Sequence, residues 1–326
     1  MPTLPATYRA YQFEAFGDAS EVVTLRNNVK HALLTPSDVR IKVHSAALNP
    51  VDYKSVEIGA SFFQWVGVLE LPSSETPFNF GMDAAGVIVE VGSGVTEFKV
   101  GDVVYVQSGF TQYGSLGEYF VVNAKYVAPK PKNLSFNEAA GVPLVGQTSW
   151  NVLFTHGKLK KGERVLILGG SSATGAFGIQ LAKAFGAYVI ATTSFRNTEL
   201  VKSLGADQVI DYTKQKWFEI DLIYDTGLEQ QTWNNEAQTI LKKDVGRFLT
   251  ILALPDPIES PIGATFHHVL STPSADLLKK LTEQIEAGKV VVPIDSVHSF
   301  ENVKDAIKIQ QSGRAKGKII VEVHKD

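Results

Sequence analysis

The segment Val165-Leu-Ile-Leu-Gly-Gly-Ser-Ser-Ala-Thr-Gly-Ala-Phe-Gly178 holds the residues best suited to binding chemistry. An apolar run passes into glycines and then into helical spacing. A strand–turn–helix of this kind aims backbone N–H groups and a helix N-terminus at an anion, commonly a dinucleotide pyrophosphate. Gly169 makes the tight turn, and Gly175 lets the helix pack close to the strand. Ser172 stands where the G-x-G-x-x-G fingerprint has its middle glycine, and its hydroxyl can donate to phosphate. Ala173 and Thr174 complete the expected phosphate contacts. Taken alone, this degenerate match fits a structural glycine turn equally well.

The tip of the next strand selects the dinucleotide. An NAD site places an acid there for the ribose 2′-hydroxyl, whereas an NADP site wants a cation for the 2′-phosphate. Here the chain reads Ala191-Thr-Thr-Ser-Phe-Arg-Asn197, with Ser194 and Arg196 and no acid. NADPH is therefore expected. Two readings compete: Arg196 as a solvated loop charge, and Glu199 as a ribose contact for NADH. Glu199 suits the first turn of a helix, where the dipole favours it.

These residues need elements to hold them. Arg40–His44, Ala84–Val91, Asp102–Val106 and Gly117–Val122 alternate between glycine turns, which predicts a β-rich, barrel-like domain. From Asn137 the pattern changes. Helical spacing over Glu138–Phe154, Thr174–Phe185 and Glu199–Leu204 alternates with strands at Arg164–Leu168, Tyr188–Thr192, Gln208–Asp211, Leu222–Asp225 and Arg247–Leu252. That alternation predicts an α/β, doubly wound parallel sheet. Strand-like Val290–Val292, a helix at Phe300–Gln311 and a strand at Lys318–Val323 close the chain and are expected to return to the first domain. The boundaries expected are 1–137 with 273–326, and 138–272.

Composition limits the classes. The chain has 326 residues, 44% hydrophobic and 20% charged, with a net charge of −3. It reads as globular, with no basic face for nucleic acid or membrane. No apolar run reaches the ~20 residues of a membrane span. The N-terminus lacks signal-peptide blocks, so a cytoplasmic location is expected. There are 0 cysteines, which removes disulfides, a thiolate nucleophile and thiolate zinc sites. The 7 histidines show no metal spacing, and adjacent His267 and His268 on a strand point to opposite faces.

The chain resembles the zinc-free quinone oxidoreductase (zeta-crystallin-like) branch of the medium-chain dehydrogenase/reductase superfamily. The resemblance rests on Leu48-Asn-Pro-Val-Asp-Tyr-Lys54, Gly81-Met-Asp-Ala-Ala-Gly-Val-Ile-Val-Glu-Val-Gly92, Phe98-Lys-Val-Gly-Asp-Val103, Gly141–Trp150, the phosphate turn, Gly205-Ala-Asp207 and Gly313-Arg-Ala-Lys-Gly-Lys318. It implies a Rossmann domain inserted into a GroES-like catalytic domain. In the zinc alcohol dehydrogenases of that superfamily, ligands fall where this chain has Asn49 and Met82, so no metal is expected. The resemblance also implies Tyr212 beside the 2′-phosphoadenosine and Arg314 reaching the 2′-phosphate. It places Thr148 at the nicotinamide ribose or carboxamide, with Ala253 and Leu254 beside the ring. The family's usual lysine falls at Asn197, leaving that role to Arg196.

Chemistry without metal must need little electrophilic help. A quinone, or an alkene conjugated to a carbonyl, accepts hydride and delocalises the charge onto oxygen. Asn49 can donate to that oxygen and Tyr53 can donate a hydrogen bond or proton; equally, Asn49 can shape the turn and Tyr53 can be a packed wall. The aromatics of Gly59–Gly67 are expected in a loop over the substrate, or as a staple onto the core. The first expectation is an NADPH:quinone oxidoreductase. The alternatives are an enoyl-thioester or alkenal/enone reductase, and a non-catalytic NADPH-binding protein of the structural or RNA-binding crystallin kind. A small quinone or enone is the expected partner, nucleic acid is not, and a homodimer through the Rossmann sheets is expected.

Overall fold

A computed structural model describes residues 4–210, 219–227 and 229–324. By internal contacts the chain divides into two units. One comprises the residues up to Leu144, Pro273–Thr282 and the residues from Ile294; the other is Val145–Thr272 with Glu283–Pro293.

The second unit is built on six strands in the spatial order Gln208–Ile210, Tyr188–Thr192, Arg164–Leu168, Leu222–Asp225, Arg247–Thr250, Thr265–His268. Every pairing is parallel. In chain order this is 3-2-1-4-5-6, the doubly wound dinucleotide-binding arrangement. Val165, Leu166, Ile167 and Leu168 are all fully buried, as expected for a strand covered on both faces. The order reverses between Arg164–Leu168 and Leu222–Asp225. Ligands of open α/β sheets bind beyond the carboxyl ends of strands at such a reversal.

The first unit carries a larger sheet in the order Ile294–Ser299, Lys318–Glu322, Asp38–Leu48, Asp83–Val91, Val103–Gln107, Val127–Pro129, with Tyr119–Asn123 also paired to Asp38–Leu48. A three-stranded sheet (Thr24–Lys30, Thr7–Phe13, Phe78–Asn79) packs beside it. The C-terminal strand is an inner strand of the larger sheet. Ile319 pairs with Leu48 and Ile320 with Ala47, so the last residues set the register beside the Asn49 turn. This is the GroES-like β-rich unit, formed by both ends of the chain.

Three expectations are corrected. The helical stretch Glu138–Phe154 is broken. Ser135 caps Phe136–Ala140 through a reciprocal bond with Glu138, and a second helix starts at Pro143 and passes at Asn151 into a π-turn segment ending at His156. Proline lacks an N–H and pushes the preceding residue, Val142, out of helical geometry. Val290–Val292 is not a strand; the strand is Ile294–Ser299. The Val291 backbone bonds instead to the Gln180 side chain, which accepts from its N–H at 2.8 Å and donates to its carbonyl at 3.0 Å. One amide side chain thus does the work of a sheet partner. Finally, Gly59–Gly67 is not a loop: Ala60–Trp65 is helical.

Gln180 is 6% exposed, so truncation strands the Val291 backbone. Gln180→Ala is expected to cost about 1–3 kcal/mol in urea unfolding. A change under a few tenths of a kcal/mol would mean that water replaces both bonds.

Candidate active site

Strand Arg164–Leu168 passes through a glycine turn into the helix Ala173–Ala184. Gly169 takes φ +84°, a conformation that side chains rarely adopt. Its N–H donates to Thr192 Oγ1 at 3.0 Å, and the Gly170 N–H donates to the Thr192 carbonyl at 2.8 Å. The turn is therefore fastened to the end of the neighbouring strand. A β-carbon on Gly175 would stand 2.3 Å from the Gly169 carbonyl oxygen, so only glycine permits this close helix start. Ser172 is the N-cap of the helix Ala173–Ala184, and its hydroxyl accepts from the Gly175 N–H at 3.0 Å. The same hydroxyl donates to Thr226 Oγ1 at 3.3 Å, and Thr226 Oγ1 donates to the Leu168 carbonyl at 2.7 Å. Ser172 is thus occupied as a cap and as a tie across the strand-order reversal. The N–H groups of Ala173 and Thr174 keep no partner among the described residues.

The tip of the second strand carries Ser194 and Arg196. Ser194 and Arg196 are exposed, and Arg196 makes no ion pair among the described residues. Glu199 lies in the first turn of the next helix and pairs with Lys202 at 3.2 Å. Asn197 is buried and donates to Ser171 Oγ at 3.0 Å, which ties the tip to the phosphate turn. Thr193 Oγ1 and Asn197 Oδ1 are buried without a hydrogen-bond partner among the described residues. Two unused N–H groups, an open guanidinium and no acid at the tip make a donor set that fits the phosphates of a dinucleotide.

The resemblance-derived positions scatter more. Thr148 is buried on the helix Pro143–Trp150, where neighbouring Ser149 donates to the Thr174 carbonyl at 2.9 Å. Ala253 is exposed, whereas Leu254 packs into the apolar cluster around Trp233 and Phe248. Arg314 is exposed, with its backbone N–H on Ser312 Oγ at 3.3 Å. Tyr212 lies outside the described residues.

In the first unit the Asn49 turn is densely bonded. Asn49 precedes the helix Pro50–Ile58, and its N–H donates to Asp52 Oδ2 at 2.7 Å. Its side chain is 1% exposed and held at both ends: Lys318 Nζ donates to Oδ1, and Nδ2 donates to Asp83 Oδ2 at 3.0 Å. Lys318 Nζ also donates to Asp83 Oδ2 at 3.3 Å, and the Leu144 N–H donates to Asp83 Oδ1 at 3.1 Å. Lys318 is 2% exposed and Asp83 is fully buried. Burial pushes the Asp83 carboxyl upward, while Lys318, Asn49 and the Leu144 N–H oppose that shift. Burial pushes Asp52 up to about 7, with the Asn49 N–H opposing and Asp83 adding to the rise. Asp52 Oδ1 has no partner among the described residues.

Tyr53 is half-buried against the core, and burial, then Glu57, raise its phenol above its usual value. That keeps it protonated near neutral pH. Of the aromatics in Gly59–Gly67, Phe63 is buried in the core, Phe62 meets Phe110 edge-on at 5.1 Å, and Trp65 is 59% exposed. Phe110 borders a cavity of about 450 Å³ whose lining includes Val68, Phe78, Tyr113 and Tyr126. It also borders a recess of about 30 Å³ lined by Asp52 and Met82. The recess has room for about one water.

Residues 35–132 match the alcohol dehydrogenase GroES-like domain, and residues 204–321 match the zinc-binding dehydrogenase model. The chain is 37% identical to 2-methylene-furan-3-one reductase of Solanum lycopersicum, over 98% of the chain and 80% of that protein. It belongs to the medium-chain dehydrogenase/reductase superfamily. Within it the chain falls in the zinc-free, quinone oxidoreductase-like branch, and it is a nicotinamide-dependent oxidoreductase. It is 36% identical to the NADPH-dependent alkenal/one oxidoreductase of Arabidopsis thaliana, over 98% of the chain and 80% of that protein. The solved quinone oxidoreductase from Coxiella burnetii superposes with a TM-score of 0.83 at 25% identity, covering 97% of this chain and 99% of that one. The Arabidopsis relative is named as chloroplastic, and an NAD(P)H oxidoreductase of Danio rerio, 33% identical over 97% of the chain and 92% of that protein, as mitochondrial; no helix among the described residues is long and apolar enough to cross a membrane.

Sequence reading passed over Lys318, Asp83 and Asp52, although all three lie in motifs that it quoted. A lysine opening an apolar strand and an acid opening another were the available signals.

Asp52 sets a pH dependence. Its folded value of about 7 exceeds the ordinary carboxyl value, so the native state holds the proton more tightly than the unfolded chain. Stability must then fall as pH rises from about 4 to about 7. Asp52→Asn keeps an oxygen for the Asn49 N–H and removes that slope, which is worth roughly a few kcal/mol. Melting temperatures of both proteins between pH 4.5 and 8 check this, and parallel curves would refute it.

Proposed function

We propose that the chain is an NADPH-dependent reductase of carbon–carbon double bonds conjugated to a carbonyl, of the alkenal/enone kind. The observation that carries this reading is the buried Asn49 amide, a neutral donor held in place by Lys318 and Asp83. Two relatives, named as a 2-methylene-furan-3-one reductase and an NADPH-dependent alkenal/one oxidoreductase, support it. Quinones are the second reading. The expectation ranked them first, and the likeness to a solved quinone oxidoreductase favours them. A quinone is itself a doubly conjugated enone, so one site can serve both.

Bound at the phosphate turn, the dinucleotide supplies hydride. The Ala173 and Thr174 N–H groups would hold its pyrophosphate, and Ser194 and Arg196 would take the 2′-phosphate, with Arg314 as a second cation. Thr148 and Ala253 are assigned to the nicotinamide end. When hydride reaches the β-carbon, the double bond's electron pair moves toward the carbonyl oxygen. An Asn49 N–H meets the charge that collects there. Tyr53, kept protonated, donates a hydrogen bond or passes a proton toward the α-carbon, and water restores it. A homodimer paired along the edge strand Thr265–His268 and a cytoplasmic location complete the proposal.

Two measurements test it. NADPH oxidation is followed with 2-alkenals, enones, 9,10-phenanthrenequinone and enoyl-CoA; turnover is expected on alkenals and enones first. Tight NADPH binding with no turnover on any acceptor would leave a binding protein only. Arg196→Glu is expected to raise KM for NADPH by about tenfold or more, the loss of one charge-assisted contact, and to spare NADH. An unchanged preference would remove Arg196 from the phosphate site.

A further inference from the structure

Among the described residues Lys318 is the only lysine that is fully buried, and it opens a strand that is otherwise apolar. Such a placement needs a reason. A buried ion pair is a poor stabiliser compared with apolar residues of the same volume, so stability does not account for it. The geometry gives another account. Lys318 has donors only, and its Nζ meets both Asn49 Oδ1 and Asp83 Oδ2. Asp83, accepting from three donors, meets the other end of the Asn49 amide. These partners allow a single amide orientation, with oxygen toward the ammonium and nitrogen toward the carboxylate. The Asn49 nitrogen carries two hydrogens, and one is spent on Asp83. The second makes no hydrogen bond of good geometry among the described residues, although the Asn49 side chain also acts on the Asp52 carboxyl, opposing its rise.

We propose that Lys318 is the positioning residue of the reaction: its ammonium fixes the orientation of the Asn49 amide and neutralises Asp83, so that negative charge can develop on an acceptor oxygen at the spare Asn49 N–H. This rests on the reading of Asn49 as donor given above. Without the ammonium, the buried Asp83 would either repel the developing charge as a carboxylate or take up a proton, whose O–H would then compete for the amide oxygen and turn the Asn49 amide around. In a low-dielectric site such repulsion is poorly screened. Lys318 touches neither acceptor nor hydride. Its effect therefore scales with the charge that reaches the oxygen: large for a 2-alkenal, smaller for a quinone whose two carbonyls share it.

The test uses the absence of cysteine from the chain, which confines alkylation of Lys318→Cys to one site. The protein is alkylated unfolded, then refolded, with 2-bromoethylamine to restore an ammonium or with 1-bromopropane to leave a neutral tail of similar length. The ammonium form is expected to approach wild-type kcat on a 2-alkenal. The propyl form is expected to fall about 10- to 100-fold below it, somewhat less than the loss of a whole oxyanion donor. KM for NADPH is expected to be alike in the two, and the gap smaller on 9,10-phenanthrenequinone. Equal kcat in the two forms would overturn the inference. Lys318→Met/Asp83→Asn needs no refolding and leaves no uncompensated charge. Wild-type alkenal turnover in that variant would also overturn it, and a lowered kcat at unchanged NADPH KM supports it. Asn49→Ala separates the two levels of argument. Full activity there defeats the donor reading itself, whereas lost activity with equal alkylated forms defeats only the role of Lys318.

Discussion

The contact between Lys318 and the Asn49–Asp83 pair is the constraint on which the first unit turns. It joins three strand ends that are far apart in sequence: the end of Asp38–Leu48, the start of Asp83–Val91 and the start of Lys318–Glu322. Leu144 adds the chain's exit toward the other unit through its bond to Asp83. A charge with this little access to water is tolerable only while all its partners are present. The same four groups therefore hold the sheet register and the Asn49 turn together. Nearby Asp52 bears the cost of the arrangement, as a carboxyl displaced toward its neutral form by burial.

The second unit solves a different problem with neutral groups. Its turn must present N–H groups at a sheet edge without collapsing onto the sheet. Thr192 fastens Gly169 and Gly170 on one side, and Thr226 fastens Leu168 and Ser172 on the other. Two threonines flank the reversal of strand order and hold the turn open. Ser172, in place of the usual glycine, joins this frame as a helix cap, so the substitution consolidates the turn.

Much of this was legible in sequence. The strands of the second unit are short apolar runs bounded by glycine, and Gly169 and Gly175 fall where the turn demands them. The barrel strands showed through alternation. What did not show was non-local. Helical spacing ran through Gly141–Pro143 because periodicity does not register a missing N–H. Val290–Val292 resembled a strand because its residues are β-branched, and nothing local reveals that Gln180 takes the partner's place. Phe63 belonged to the core and not to a loop because its neighbours, Phe13 and Phe78, come from other parts of the chain. Asn49 was found by its motif, but its amide orientation depends on Lys318, which no nearby residue announces.

The inner position of Lys318–Glu322 has a consequence for how the chain acquires its structure. Asp38–Leu48 emerges early from a ribosome, yet one of its hydrogen-bonding neighbours follows only after the intervening second unit has been made. Until then the edge along residues 45–48 is open, with apolar Ala46, Ala47 and Leu48 on it, and such an edge invites pairing with other chains. The doubly wound unit is continuous over most of its length and can organise meanwhile. Synthesis thus favours an order in which the nucleotide-binding half matures first and the half bearing Asn49 is sealed last.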